Sequence, residues 1–365
     1  MSLGESLSSC KLISADSHVL EPVDLWAQRL PATHRSRAPQ FPAHKLGAGF
    51  QHHPGGHDPD ARLLEMAVDG VAAEVLYPTL ALSLFGLDDA VLQQACFRAY
   101  NDWLIEYCSV APGRLVGVAA ISVYDIDDAV RELERCRRAG LRGALVWQSP
   151  HEKLPFSGRH YDQLWTSAQY HDMPISLHIL TGHGNSKELL GMVGTGNNIE
   201  RYRRAVNLKL MEAAGALFDL IFYGALDRHP NLKVVTVENE IGWMPFLFQQ
   251  WEYYCAKFRD SNPAPLRQLP TEYLKGQVYG TFFNDRVGAR HLDAWGKESA
   301  MWSNDFPHPN STWPNSRATI ADHLGHLSPA VLERVVCGNA AKLYAIDVSK
   351  IPTLAGSGTA RQVIV

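Results

Sequence analysis

The sequence has little of what marks several large classes of protein. Charged residues make up 20% of the 365 residues, and the formal net charge is −4 at pH 7, so no basic excess points to nucleic acid or to an acidic membrane surface. The six cysteines are scattered and form no C-x-x-C pair, which favours reduced thiols over a disulfide framework. Because no window approaches about 18 uninterrupted apolar residues, no membrane span is expected.

The amino terminus also lacks a targeting signal. MSLGESLSSCKLIS contains neither a basic region nor an apolar run of the kind found in signal peptides, so a cytoplasmic location is predicted. No G-x-G-x-x-G motif follows the first predicted strand, and a dinucleotide-binding fold loses its main support. Apolar residues make up 46% of the chain, which indicates an ordered protein able to bury a large core.

Eight short apolar runs predict strands, since each is rich in β-branched or aromatic residues and bounded by turn residues. The stretches between them have helical spacing, as in Asp88–Val110 and Asp125–Ala139. Eight strands that alternate with helices in a chain of this size predict a (β/α)₈ TIM barrel rather than an open doubly wound sheet. The predicted strands are Leu12–His18, Ala72–Pro78, Leu115–Ser122, Gly143–Trp147, Pro174–Ile179, Lys233–Glu238, Val278–Phe282 and Ala300–Asp305.

Two connections are too long for simple loops and are interpreted as insertions in a single domain of residues 1–365. They cover about residues 27–60 and 181–225, and a loose tail follows from about residue 351. Long insertions in compact domains are usually lids, binding loops or subunit contacts. The second contains RYRRAVNLKLMEAAGALF, whose apolar residues at helical spacing exceed what an isolated surface helix needs. A homodimer or larger oligomer is therefore predicted.

Metal-ligating residue types stand at the ends of three predicted strands. Asp16 and His18 are two positions apart, so both side chains can face the barrel interior. His178 ends the fifth strand and Asp305 ends the eighth. Each has an ordinary structural alternative: a buried core histidine, a cap or a strand terminator. Their joint occurrence at one barrel mouth favours a site for a single divalent ion.

A second group of histidines lies in the segment HHPGGH. His52, His53 and His57 could bind a metal, but they belong to the first predicted insertion. The preferred interpretation of this segment is a loop or lid.

Several motifs resemble one enzyme family along nearly the whole chain and in the same order. They are ISADSHVLEPVDLW, LHI, RHPNLKVVTVENEIGWMP, MWSNDFPHPNSTWPNS and CGNAAKLYAID. The chain resembles the amidohydrolase-related branch that contains aminocarboxymuconate-semialdehyde decarboxylase and the resorcylate-type decarboxylases. The resemblance implies a distorted barrel with helical insertions, one catalytic divalent metal and a homodimer or homotetramer. It also implies the metal ligands Asp16, His18, His178 and Asp305.

Two departures from the family pattern bear on the chemistry. The first motif is Asp16-x-His18 where the family often has His-x-His or Glu-x-His, which leaves zinc and manganese both open. The sixth strand ends in Glu238 where decarboxylases of the family usually have a proton-handling histidine. Glu238 is therefore the candidate general acid or base or an additional ligand, with a salt-bridged strand end as the alternative. His308 and His183 are next in line for the proton-handling role.

The fourth strand lacks the lysine that bridges two metals in binuclear relatives, so one metal is expected. The resemblance favours a non-oxidative decarboxylase of an aromatic or conjugated carboxylic acid. The alternatives are a hydrolase or hydratase that uses an activated water, with Glu238 or Asp305 as base, and an inactive barrel that serves as a binding protein. Arg286 and Arg317 could bind a substrate carboxylate, although surface salt-bridging is the simpler role for either.

Overall fold

Eight parallel strands form a nearly closed barrel in the computed structural model, which describes residues 10–41, 53–184, 199, 203 and 206–351. Each strand pairs in parallel with the next along the chain, in the order β1 to β8. The predicted (β/α)₈ barrel is therefore confirmed. The strands are β1 Leu12–His18, β2 Val71–Tyr77, β3 Leu115–Ala120, β4 Gly143–Val146, β5 Ile175–His178, β6 Val234–Val237, β7 Val278–Phe282 and β8 Ala300–Trp302.

The first and last strands meet through backbone hydrogen bonds just beyond β8. The N–H of Asp305 donates to the carbonyl of Asp16 at 3.0 Å, and the N–H of His18 donates to the carbonyl of Phe306 at 2.7 Å. All residues of β1 and β8 are buried, as expected for a parallel barrel covered by helices. These two bonds bring the candidate ligands of both strands to one place.

Six of the eight predicted strands end earlier than expected, and two of these ends concern candidate site residues. The eighth was predicted to reach Asp305 but stops at Trp302, and the sixth stops one residue before Glu238. Both residues have left-handed backbone conformations, with φ of 54° at Asp305 and 58° at Glu238. A strand cannot continue through that conformation, which few residues other than glycine adopt.

The helices cover the outside of the barrel. The side chain of Asp125 caps one helix by accepting a hydrogen bond from the Asp128 N–H at 3.0 Å, and the side chain of Asp89 caps the preceding helix in the same way. The helices are α1 Leu25–Arg29, α2 Ala32–Arg35, α3 Pro59–Asp69, α4 Ala90–Cys108, α5 Ile126–Arg138, α6 Asp162–Tyr170, α7 Ala213–Phe222, α8 Ala225–Arg228, α9 Met244–Lys257, α10 Arg286–His291, α11 Ser316–Leu324, α12 Pro329–Glu333 and α13 Asn339–Leu343.

Parts of the predicted insertions and tail fall outside the described residues. Residues 42–52, which include His52, most of 185–205 and all of 352–365 are not described. A π-helical turn, Leu208–Glu212, leads into α7. Among the helices that are described, none is long and apolar enough to cross a membrane.

Candidate metal centre

Four buried side chains predicted as ligands meet at the carboxyl ends of the strands. Asp16 and His18 come from the end of β1, His178 is the last residue of β5, and Asp305 follows β8 by three residues. The four residues have no solvent-exposed surface. The carboxyl ends of barrel strands are where TIM-barrel enzymes place their catalytic groups.

The donor atoms of these residues are close enough to share one ion. The Nε2 atom of His18 lies 3.5 Å from Oδ1 of Asp16 and 3.4 Å from Oδ1 of Asp305. The Nε2 atom of His178 lies 3.6 Å from the same oxygen of Asp16. Ligands bound about 2.1 Å from one ion are about 3.0–3.4 Å apart, so a small inward movement would suffice.

The two imidazoles are fixed so that their Nε2 atoms face each other. Nδ1 of His18 lies 2.7 Å from the carbonyl oxygen of Pro78, and Nδ1 of His178 lies 2.7 Å from that of Ile179. A carbonyl only accepts, so each Nδ1 carries a proton and each neutral ring presents a lone pair at Nε2. These two Nε2 atoms are 3.3 Å apart. Two facing lone pairs require a cation or a proton between them, and backbone carbonyls orient metal-binding histidines in this way.

The carboxylates lack ordinary hydrogen-bond partners. Both side-chain oxygens of Asp16 and both of Asp305 are buried without a hydrogen bond of good geometry among the described residues. A buried carboxylate without a partner is costly, and a bound cation would compensate it. The donor set of two imidazoles and two carboxylates therefore fits a divalent ion such as zinc or manganese.

In the metal-free site, burial and neighbouring charges shift the pKa values of the candidate ligands. Burial opposes ionisation of Asp16, but the nearby imidazoles of His178 and His18 favour its charged form more strongly and hold the pKa of Asp16 far below its usual range. Burial lowers the pKa of His178, but Asp16 outweighs that effect and raises it to about 9. Burial and the neighbouring His308 lower the pKa of His18 to about 4. Without a metal, a proton on His178 thus supplies the missing positive charge.

Glu238 borders this group from the end of β6. Its Oε2 atom lies 3.9 Å from Nε2 of His178, and its backbone N–H donates to the hydroxyl of Thr281 at 2.8 Å. Burial, reinforced by repulsion from Asp305, raises the pKa of Glu238 to about 8. A carboxyl group with such a pKa keeps its proton near neutral pH and can give it to a substrate.

His308 contacts the group from the loop after β8. Its Nδ1 atom lies 2.9 Å from Oδ1 of Asp305, its ring stacks on that of His18 at 3.8 Å between centroids, and its Nε2 lies 3.2 Å from the hydroxyl of Thr79. Burial lowers the pKa of His308 to about 4. The ligand atoms form two overlapping groups, each within 4.8 Å: Asp16, His18, His178 and Glu238, and His18, Glu238, Asp305 and His308.

Other residues considered in the sequence lie apart from this centre. His183 joins a separate cluster at the ends of other strands, with Nε2 3.0 Å from Oδ1 of Asp88 and its ring 4.4 Å from that of His151. His53 packs edge-on against Phe306 at 4.9 Å and Trp313 at 4.8 Å between ring centroids. His53 thus supports the loop that carries Asp305, in agreement with the loop interpretation of its segment.

The two arginines considered for carboxylate binding are placed elsewhere. Arg317 donates to the carbonyls of Cys10 and Gly70, just before β1 and β2 begin, so it lies at the opposite end of the barrel and the carboxylate-binding interpretation is wrong. Arg286 forms an exposed ion pair with Asp322 at 2.6 Å.

Sequence reasoning could not distinguish one aromatic residue beneath the site from the core. Tyr77 at the end of β2 packs 5.3 Å from the ring of His178, and its hydroxyl lies 2.9 Å from that of Ser176 and 3.1 Å from that of Tyr344. In the sequence, only its position near the end of a strand suggested that Tyr77 could lie close to a site. An aromatic residue at such a position usually belongs to the core, so the sequence did not distinguish the two roles.

The sequence is similar to that of known amidohydrolases and decarboxylases. A family profile described as amidohydrolase matches residues 16–346. The gamma-resorcylate decarboxylase of a Polaromonas species is 24% identical over 311 residues, which cover 79% of this chain and 87% of that protein.

Two solved structures share the fold over nearly their whole length. An amidohydrolase from Mycobacterium avium subsp. paratuberculosis superposes with a TM-score of 0.74 at 18% identity, covering 92% of this chain and 99% of that one. A dihydroxybenzoic acid decarboxylase from Polaromonas, solved with bound manganese and the inhibitor 2-nitroresorcinol, superposes with a TM-score of 0.66 at 20% identity, covering 92% and 97%.

Proposed function

Because the chain belongs to the amidohydrolase family, we propose that it is a metal-dependent decarboxylase of an aromatic or conjugated carboxylic acid, with Asp16, His18, His178 and Asp305 as metal ligands. The observation that carries the proposal is the pair of facing Nε2 atoms, 3.3 Å apart, with each ring fixed through its Nδ1 proton. The decarboxylases among the relatives and neighbouring structures favour this reaction over the others available to the family.

The proposed metal is a single divalent ion. Imidazole and carboxylate ligands suit both zinc and manganese. Manganese is the first to test, since a neighbouring decarboxylase structure holds it. When bound, the ion supplies Lewis-acid chemistry that orients the substrate carboxylate or a neighbouring oxygen and stabilises developing negative charge.

Glu238 is the proposed proton donor. In the metal-free site its raised pKa, about 8, keeps the carboxyl group protonated near neutral pH, and its side chain is 3.9 Å from that of His178. The proton of Glu238 would pass to the ring carbon that bears the carboxylate. A π-electron pair of the ring would form the new C–H bond with this proton. The C–C bond to the carboxylate would then break, its electron pair would restore the π system of the ring, and carbon dioxide would leave.

His308 is the second candidate for proton handling. Its Nδ1 lies 2.9 Å from the Asp305 carboxylate, and its Nε2 lies 3.2 Å from the Thr79 hydroxyl. Its lowered pKa, about 4, makes the neutral imidazole dominant at neutral pH. His308 would therefore accept a proton or donate a hydrogen bond more readily than act as an acid.

Hydrolysis or hydration is the alternative that the same residues support. It would require an ionised Glu238 that takes a proton from a water molecule, whereas decarboxylation requires a protonated one. Hydrolysis or hydration stays an alternative because Glu238, and not a histidine, stands at the end of β6. The protonation state of Glu238 in the loaded protein thus separates the two reactions.

We further propose that a second copy of the chain covers α7 and α9. Large apolar side chains on and beside these helices are exposed, a pattern typical of protein contacts. They are Val206, Met211, Tyr223, Phe246, Tyr253, Tyr254 and Phe258. Sedimentation at micromolar concentration should show a dimer or larger species, and a monomer would contradict this assignment.

The function is tested by supplying aromatic acids, lactones and amides to protein loaded with manganese or zinc. Carbon dioxide release and hydrolysis should be followed in parallel, with His178→Ala as the control for contaminating activity. We expect release of carbon dioxide from at least one hydroxylated aromatic acid, dependent on added metal. Hydrolysis without decarboxylation would establish the alternative, and metal-independent turnover would contradict both. Absence of any turnover together with an empty site would favour a binding protein.

A further inference from the structure

A fully buried arginine lies directly behind the candidate ligands. Arg62 on α3 has no exposed surface, and its Nη1 atom donates to the carbonyl oxygen of His18 at 2.7 Å. Its Nη2 atom donates to the carbonyl oxygen of Phe306 at 3.2 Å, and its guanidinium carbon lies 4.6 Å from the centroid of the Phe306 ring. One guanidinium group thus joins the backbone at a ligand of β1 to the backbone that follows Asp305.

The charge of Arg62 is balanced within the barrel wall. Its Nε atom is 2.5 Å from Oε2 of Glu74, a residue of β2 that is also buried. The amide of Asn304 lies 3.4 Å from Oε1 of Glu74, and its Oδ1 accepts hydrogen bonds from the hydroxyls of Ser14 at 3.0 Å and Ser17 at 2.8 Å. The network therefore connects α3, β1, β2 and the residue before Asp305.

The backbone at Asp305 requires such support. A φ of 54° is unfavourable for a residue other than glycine, and conformations of this kind cost about 1–3 kcal/mol unless the surroundings enforce them. Oδ1 of Asn304 accepts the Phe306 N–H at 3.2 Å, and Arg62 donates to the Phe306 carbonyl oxygen, also at 3.2 Å. Phe306, the residue that follows Asp305, is therefore held at both its N–H and its carbonyl oxygen.

We propose that Arg62 is a positioning residue that sets metal affinity by holding the His18 and Asp305 backbones in their ligating arrangement. The inference rests on the proposed metal site and assigns a role to a residue outside the ligand set. Arginine suits this role because its planar fork can bind an acid and two carbonyls at once, which the single ammonium of lysine cannot do.

The test compares the affinity of metal-free protein for manganese in matched variants by titration calorimetry. Arg62→Lys keeps the charge beside Glu74 but removes the fork, and we expect manganese affinity to fall by about 10–100-fold, as for other groups that orient ligands. The double variant Arg62→Met with Glu74→Gln removes both charges and serves if the lysine variant does not fold. Arg114→Lys is the control, since Arg114 also donates to a backbone carbonyl, that of Ala72 at 2.8 Å, near the other end of β2.

Coupling to Asp305 separates positioning from general stability. In an Asp305→Ala background, Arg62→Lys should reduce manganese affinity by a clearly smaller factor than in the wild type, because one of the groups it positions is gone. Unchanged affinity in a folded Arg62 variant, or an equal loss in both backgrounds, would overturn the inference while leaving the proposed function intact. A wild-type chain that binds no divalent ion would overturn the proposed function, and this inference with it.

Discussion

The barrel mouth and the interface between α4 and α5 both bury carboxylates, but they differ in the hydrogen-bond partners that they provide for them. At the interface, Glu132 accepts hydrogen bonds from Asn101 at 2.9 Å and from Arg135 at 2.7 and 2.8 Å. Burial favours protonation of Glu132, but those bonds outweigh it and lower its pKa. At the mouth, burial dominates and raises the pKa of Asp305 to about 7.

The difference indicates what each region is built for. The interface supplies a partner for its carboxylate from within the chain, which is what stability requires. Among the described residues, the mouth leaves the oxygens of Asp16 and Asp305 without hydrogen bonds of good geometry, and it holds Asp305 and Glu238 in unfavourable backbone conformations. Strain and missing partners in one place are typical of a site whose partner comes from outside the chain.

The largest expected effect comes from removing a ligand at the mouth. His178→Ala should reduce turnover by at least about 10³-fold, because one of the two imidazoles that face the centre is lost. The barrel should stay folded, because His178 pairs with β6 through its backbone, which the substitution leaves in place. Steady-state kinetics and circular dichroism measure the two outcomes, and near-normal turnover in the folded variant would remove His178 from the site.

Glu238→Gln should have the next largest effect. The variant keeps the shape of the side chain but cannot transfer a proton, so turnover should fall by at least about 10²-fold while metal and substrate still bind. The pH–rate profile should also lose the limb that Glu238 contributes. An unchanged profile with near-normal turnover would return Glu238 to a structural role and pass proton handling to His308.

Two isosteric substitutions should change stability in opposite directions in the metal-free protein. At pH 8, Asp305→Asn removes a buried charge that lacks a hydrogen bond of good geometry among the described residues, and asparagine tolerates a positive φ, so the free energy of unfolding should rise by about 1 kcal/mol. Glu132→Gln breaks a satisfied ion pair and should lower it by about 1–3 kcal/mol. Urea denaturation in the presence of a chelator measures both free energies of unfolding. If both substitutions lower the stability, the chain itself stabilises the Asp305 carboxylate, as it does that of Glu132.

The smallest effect is a pH dependence of the metal-free protein. The pKa values of Glu238, about 8, and Asp305, about 7, lie above those of the unfolded chain. A raised pKa stabilises the folded state at low pH, and this stabilisation is lost as the pH rises through the folded value. The raised pKa of His178, about 9, acts in the same direction. The melting temperature should therefore fall between about pH 6 and 9, and less steeply in Glu238→Gln.

Much of the fold and the grouping of the candidate ligands were predictable because both depend on local signals. Alternating apolar runs predicted the eight strands, and polar residues after buried runs predicted Asp16, His18, His178 and Asp305. The end of β8 was misplaced because the backbone at Asp305 turns left-handed, and the surrounding network rather than local preference holds it there.

Contacts between distant segments were beyond the sequence. Arg62 reads as one more charged residue on an amphipathic helix, and only the packing of α3 behind β1 and β8 brings it to the ligand backbone. Arg317 was misjudged for the same reason, since a position soon after β8 does not say at which end of the barrel its side chain lies.

Metal content tests the central claim most directly. The wild-type protein and His178→Ala should be stripped with chelator, incubated with excess manganese or zinc, desalted and analysed by mass spectrometry of the elements. The account predicts about one divalent ion per chain in the wild type and little in the variant. A wild-type protein without metal, or a folded variant that retains a full equivalent, would contradict it.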